Sequence, residues 1–363
     1  MRPRLIATDL DGTLLDREQG LTPRTVAAVR AVVAAGIEFV LVTARPPRTV
    51  AHLAEQLGGG IAALCGNGTI LAEFGVPGVR SAQGMPDAPG VGGGEPESES
   101  ESESGPELEL GSESELDLGP EPESRSGLDL GPEPEPESGS GSEPESGSEL
   151  DLGPERGLGS GSGMDLGLGS ARGAITLIRG FDVADAVAVV KQLRPVLPEA
   201  GFALETGFEV YFETAFRIGS VTDHRRILTD ELIGIAPQMR SIIKVLARSP
   251  ERSADEMVAI ARATLSVDAE ISHSGGRGLL EIAPSGASKA SGLAWLCGRR
   301  GIAAGSVAAF GDMPNDVPML RWAGIGHAVA NAHPEVLAAA HRVVGHHAED
   351  GVALALEAML ASA

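Results

Sequence analysis

The sequence predicts an α/β protein, a parallel sheet with helices on both faces, interrupted by an α+β module and a long acidic segment. Three observations carry this prediction. Short apolar runs alternate with helix-like spacing near both ends of the chain. Two of these runs end in closely spaced aspartates, Asp9 and Asp11, then Asp312 and Asp316. Between them lies a stretch of Glu, Ser, Pro and Gly with too little apolar surface to offset the entropy of ordering it.

Leu5 to Leu10 is the first apolar run and the first expected strand. Thr22-Pro23 forms a helix start, with a hydroxyl N-cap and proline at the first helical position. Val26, Val29, Val32 and Val33 then recur at helical spacing up to Gly36, a C-terminal stop. Phe39 to Thr43 is the second strand, Pro47 to Leu57 the second helix and Ile61 to Leu64 the third strand. Short connections between alternating strands and helices imply parallel pairing. Ala174 to Ile178 predicts a strand and Val183 to Leu193 a helix. Ala203 to Phe212 suits a strand pair, Ile242 to Leu246 a strand, Ser253 to Leu265 a helix and Leu279 to Ile282 a strand; together they suit a separate α+β module. The first pattern then resumes: a helix from about Ser288 to Arg299, strand Val307 to Phe310, a short helix near Val317 to Trp322, strand Ile325 to Val329, and further helices. The expected division is 1–80 and 284–363 for the sheet domain, 171–283 for the α+β module and 92–170 for a disordered acidic insert.

The charge is concentrated in that insert. The 363 residues carry 51 acidic and 28 basic side chains, a net charge of −23. Gly92 to Ser170 holds 22 of the acids and two arginines, a net of −20, which leaves −3 for the rest. No basic cluster is present to displace counterions from phosphates, so a nucleic-acid partner is not expected. No apolar stretch approaches the roughly 20 residues of a membrane span, so no membrane is expected either. Asp9 comes too early for a signal peptide, and two cysteines, Cys65 and Cys297, form no disulfide framework. These features suit a cytoplasmic protein. Leu-Asp-Leu-Gly-Pro-Glu recurs at Leu116, Leu128 and Leu150 with irregular spacing, which gives no solenoid.

Asp9 and Asp11 alternate at the carboxyl end of an expected parallel strand, where open α/β sheets bind ligands. Gly12 allows a tight turn, and Thr13 can orient a neighbouring carboxylate. Gly311-Asp312-Met313-Pro314-Asn315-Asp316 follows another strand in the same way. Hard oxygen donors from two strand tips suit magnesium, and carboxylates crowded there would repel without a cation. Thr43 at a helix start suits a phosphate oxygen, and Lys289 also lies near a helix start. Arg45, Glu213, Arg217 and His273 are candidate contacts at the α+β module, although residues of these types are more often ordinary surface residues.

These motifs resemble the haloacid dehalogenase superfamily of phosphatases, in its Cof-type branch (cap class IIB). Asp9-Leu10-Asp11-Gly12-Thr13 resembles the first motif and Val42-Thr43-Ala44-Arg45 the second, with Ala44 where glycine is usual. Lys289 resembles the third, and Gly311-Asp312 through Asn315-Asp316 the fourth. Cys65-Gly66-Asn67-Gly68, Ala330-Asn331-Ala332 and Glu349-Asp350-Gly351-Val352 resemble further signatures of the branch, and Met313-Pro314 departs from its usual pattern.

The resemblance implies a Rossmann-like core with an inserted cap, and a magnesium-dependent phosphatase that acts on small-molecule phosphate esters through an aspartyl-phosphate. It implies Asp9 as nucleophile and Asp11 as general acid and base. Magnesium would be held by Asp9, Asp11 (through its backbone carbonyl) and Asp312, with Asp316 supporting from behind. Leu10, Thr43, Ala44, Lys289 and Asn315 would bind phosphate. A dedicated sugar-phosphate phosphatase, a phosphomutase, or an interaction protein using the acidic insert stay open as alternatives.

Overall fold

The computed structural model describes residues 2–75, 173–216, 225–274 and 278–361. The acidic segment 92–170, with its expected disorder, and Arg217 lie outside the described residues.

The strands of the first half are β1 (Leu5–Thr8), β2 (Glu38–Val42), β3 (Ala62–Cys65), β4 (Ile70–Phe74) and β5 (Gly173–Leu177). The middle of the chain supplies β6 (Gly201–Glu205), β7 (Val210–Phe212), β8 (Arg226–Leu228), β9 (Lys244–Arg248), β10 (Ala269–Ser272) and β11 (Leu279–Pro284). The last strands are β12 (Val307–Gly311), β13 (Ile325–Val329) and β14 (Arg342–Val344). Among the described residues they form two sheets. The first has the order β14-β13-β12-β1-β2-β3-β4-β5, and the second β10-β11-β9-β6-β7-β8.

From β14 to β3 the first sheet is parallel, as its apolar strands imply. β4 and β5 then add an antiparallel edge. Here the structure departs from expectation: the sequence places the strand near Ala174–Ile178 with the α+β module, but Gly173–Leu177 pairs with β4 and extends the first sheet. Its apolar pattern marked a strand without marking a partner, because pairing is decided by register against a distant neighbour. The second sheet is antiparallel except for the β7–β8 pair.

The helices are α1 (Pro23–Ala34), α2 (Ala51–Leu57), α3 (Val183–Leu193), α4 (Leu232–Ile235), α5 (Ala254–Thr264), α6 (Lys289–Arg300), α7 (Val317–Trp322), α8 (Pro334–Ala339) and α9 (Gly351–Ala361). The α1 start is as expected: the Thr22 side chain accepts the Thr25 N–H and Pro23 opens the helix. Val29 and Val32 are buried, whereas Val33 faces solvent. On the first sheet, α1, α2 and α9 pack together as one group, and α6 packs on α7, which packs on α8, as another. α3 and α5 pack on the second sheet. Each sheet has its own buried apolar cluster, and Ile243, from the segment leading into β9, packs into the first sheet's cluster.

Candidate active site

The carboxyl ends of β1 and β12 are neighbours because the two strands pair in parallel, Thr8 against Phe310. Asp9 and Asp312 therefore leave the sheet side by side. After Asp9 the chain makes a wide turn over Leu10–Leu14, in which Gly12 takes φ +74. A Cβ on Gly12 would collide with the Asp312 carboxylate, so glycine is required both by the backbone conformation and by the close approach. Thr13 Oγ1 donates to Asp312 Oδ1 at 2.7 Å, which orients that carboxylate. Asn331 holds the turn from the other side: its Nδ2 donates to the Gly12 carbonyl at 2.8 Å, and its Oδ1 accepts the His347 N–H at 3.0 Å.

Lys289 reaches the same point from α6. Ser288 caps this helix by accepting the Ser291 N–H at 3.1 Å. The helix start can sit against the loop after β3 because Gly68 and Gly292 face each other: a Cβ on either would strike backbone of the other segment. Lys289 is 1% exposed, and its Nζ stands 2.8 Å from Asp9 Oδ1 and 2.7 Å from Asp316 Oδ1. Asp316 Oδ2 accepts the N–H groups of Asp312 and Met313, at 3.1 and 3.0 Å. Asp316 thus braces the loop that carries Asp312 instead of capping α7.

One oxygen each of Asp9, Asp312 and Asp316 lies within 4.8 Å of the others, and all three residues are buried. Among the described residues a single ammonium, that of Lys289, pairs with this group, which leaves the acids undercompensated. Burial, reinforced by Asp316, Asp312 and Asp11, raises the Asp9 carboxyl well above its ordinary range despite Lys289 beside it. Burial and Asp316 likewise push Asp312 up to about 7, against the opposing Thr13 hydrogen bond and Lys289. Burial alone would lower Lys289; Asp316 and Asp9 overcome it and raise the ammonium above its ordinary value. Crowded, buried hard oxygens that resist ionisation fit a small divalent cation, which would supply the missing positive charge.

Asp11 stands apart from this group. Its carboxylate is gripped by Arg45, with Nε to Oδ2 at 2.8 Å and Nη2 to Oδ1 at 2.6 Å. Gln19 Oε1 accepts from the same guanidinium at 2.6 Å. Thr43 is fully buried at the end of β2, and its Oγ1 accepts the Arg45 N–H at 3.1 Å. Leu10 is buried at the start of the turn, its carbonyl accepting the Leu15 N–H. The Ala44 carbonyl accepts from Lys244 Nζ at 2.7 Å. Asn315 donates through Nδ2 to Asn67 Oδ1 at 3.2 Å, and its buried Oδ1 has no partner among the described residues. Glu213 is turned inward, onto Arg194 and the Phe202 N–H. His273 is buried, with Nε2 3.0 Å from Asp255, and meets His333 edge-on at 6.5 Å.

A cavity of about 670 Å³ is lined by Phe216, Arg248, Asp255 and His273 from the second module and by Met313, which follows Asp312 in the chain, and His333 from the first. The His333 N–H bonds the Asp312 carbonyl at 2.8 Å. The sequence assigns no individual role to His333, Asn67, Lys244 and Glu281, although Asn67 falls within the Cys65-Gly66-Asn67-Gly68 signature. The last two carried a usable signal: a lone Lys in Ile242-Ile243-Lys244-Val245-Leu246 and a lone Glu in Leu279-Leu280-Glu281-Ile282 sit inside apolar strands, where a charge must be paired.

The sequence profile of the haloacid dehalogenase-like hydrolases matches residues 6–76 and 182–356. The 5-amino-6-(5-phospho-D-ribitylamino)uracil phosphatase YitU of Bacillus subtilis is 40% identical over 75 residues, which cover 21% of this chain and 28% of that protein. The match thus spans under a third of this relative. SMU.1108c of Streptococcus mutans shares the fold at a TM-score of 0.62 and 17% identity, over 99% of both chains. BT1666 of Bacteroides thetaiotaomicron, described among phosphatases of the haloalkanoate (HAD) enzyme superfamily, does so at 0.60 and 16%, over 99% of this chain and 95% of its own. With the two aspartate-bearing strand ends side by side and Lys289 between them, the profile match over both flanks of the acidic segment settles the family: the chain belongs to the haloacid dehalogenase-like hydrolases, of the Cof type.

Proposed function

We propose that this chain hydrolyses small phosphate monoesters through an aspartyl-phosphate on Asp9, with magnesium as its metal. The observation that carries this reading is the buried group of Asp9, Asp312 and Asp316, which among the described residues faces the one ammonium of Lys289. Asp9 and Asp312, with the Asp11 backbone, would hold the ion; Asp316, both of whose oxygens are engaged, would support from behind. Bound there, magnesium supplies the positive charge that lets one anion approach another.

The chain's own residues do the rest. An Asp9 oxygen attacks phosphorus, and the ester P–O bond breaks as the phosphoryl group passes to Asp9. The departing alkoxide takes its proton from Asp11 in its carboxylic acid form, one oxygen leaving the Arg45 pair to reach the ester oxygen while the other stays held. Water then gives a proton to Asp11 and attacks the same phosphorus. The bond to Asp9 breaks and inorganic phosphate leaves. Thr43, Lys289 and Asn315 hold phosphate oxygens, with the Leu10 and Ala44 backbone lining the same cradle. The second sheet acts as a cap, and the cavity under Phe216 and His273 takes the non-phosphate part of the substrate. Cys65 and Cys297 are both free and buried, in keeping with a cytoplasmic setting.

A panel of phosphate monoesters, with and without magnesium, tests this reading. Phosphate release that needs magnesium and is lost in Asp9→Ala supports it. Full release by Asp9→Ala contradicts it.

A further inference from the structure

A chain of buried polar groups runs from the second sheet to Asn315, the neighbour of Asp316 in the chain. Lys244, the first residue of β9, is 4% exposed. Its Nζ donates to Glu281 Oε2 on β11 at 2.6 Å and to the Ala44 carbonyl at 2.7 Å. Glu281 is 2% exposed and also accepts from Asn67 Nδ2 at 3.0 Å and from the Ser274 hydroxyl. Burial works to raise the Glu281 carboxyl, yet Lys244 beside it holds it below its ordinary value. Asn67 Oδ1 in turn accepts from Asn315 Nδ2 at 3.2 Å.

This chain has a direction. A carboxylate only accepts, so Asn67 must turn its NH₂ toward Glu281 and its carbonyl toward Asn315. Asn315 must then donate its NH₂ to Asn67. The ammonium of Lys244 keeps Glu281 ionised and so fixes two amides beyond it. The bond to Ala44 forms a second arm. The Asn67 N–H bonds the Thr43 carbonyl and the Gly66 N–H bonds the Arg45 carbonyl, both at 3.0 Å. The loops after β2 and β3 are therefore stitched together, and Lys244 holds both. Another buried tie between the sheets, Arg48 to Glu205 at 2.7 and 2.8 Å, is not part of this chain.

We propose that Lys244 is a positioning residue, whose joint hold on Glu281 and Ala44 sets Thr43, Asn67 and Asn315 in place. The phosphate cradle is then complete only while β9 and β11 are docked on the loops after β2 and β3. This rests on the reading of Thr43 and Asn315 as phosphate holders.

The test is Lys244→Met in the full chain, with Glu205→Gln breaking the other tie for comparison. Hydrogen exchange is followed on peptides covering 43–46 and 65–68, and turnover is followed on one phosphate monoester with magnesium. For Lys244→Met the expected results are at least tenfold faster exchange in both loops and at least a tenfold rise in KM. Glu205→Gln leaves the loops within twofold of wild type. Unchanged loop exchange in Lys244→Met overturns the proposal, as does the same loop exchange in both variants. If Lys244→Met does not fold, Glu281→Gln, which keeps size and removes the charge, must show the same loop-specific rise; its absence overturns the proposal too. Exchange needs no substrate, so failure of wild-type turnover counts against the phosphatase reading alone.

Discussion

Lys289 Nζ lies between Asp9 and Asp316, 2.8 and 2.7 Å from their oxygens, and among the described residues is the single ammonium paired with these buried acids. Lys289→Met leaves these carboxylates without their counter-charge. Removing one partner of a buried ion pair costs about 3–5 kcal/mol. The variant is expected to lose stability of that order in denaturant titrations without metal, and to recover part of it with magnesium, which binds the folded acid cluster and not the unfolded chain.

Arg45 grips Asp11 at two points, which fixes the orientation of the proposed general acid. A general acid matters most when the leaving group is a poor one. Arg45→Ala is expected to lower kcat/KM by about 100-fold on an alkyl phosphate, and much less on p-nitrophenyl phosphate, whose phenolate leaves without a proton. Equal losses on both esters would remove Asp11 orientation as the cause.

Gly12→Ala places a methyl group against the Asp312 carboxylate at φ +74. The strained backbone costs about 1–2 kcal/mol. Displacement of Asp312 is expected to weaken magnesium activation at least tenfold, measured as the metal concentration giving half-maximal turnover.

His327 on β13 is 2% exposed and its ring stacks on Phe310 at 4.6 Å. Burial pushes its pKa down from 6.5 to about 4. As pH falls, the unfolded chain takes up this proton first. The stability His327 contributes is therefore full above about pH 6.5 and is lost as pH falls from about 6.5 to about 4, in total about 3 kcal/mol. Denaturant midpoints across that window should fall more steeply for wild type than for His327→Gln.

The strands at the centre of the first sheet are legible in the sequence because parallel strands buried on both faces must be apolar, as Leu5–Thr8 and Val307–Gly311 are. The aspartates are legible because they end such strands. The shortest edge strands are not: β14 is three residues long with Val343 58% exposed, and β8 is as short. Their conformation comes from a neighbour, not from local pattern. The same holds within the site. Asp9 and Asp11 are named by their motif, but whether Asp11 turns toward the metal group or toward Arg45 is decided by residues 34 positions away. Lys244 meets Ala44 across 200 positions and Asn67 meets Glu281 across 214, contacts that only the docking of two sheets creates.

The central claim is that Asp9 carries the phosphoryl group. The most direct measurement is an acid quench during turnover of a phosphate monoester with magnesium, followed by mass spectrometry of the peptide containing Asp9. The expected result is a phosphorylated Asp9 that is absent without magnesium and absent in Asp9→Asn, which also loses turnover. Turnover with phosphate found on another residue, or an Asp9→Asn variant as active as wild type, would contradict it.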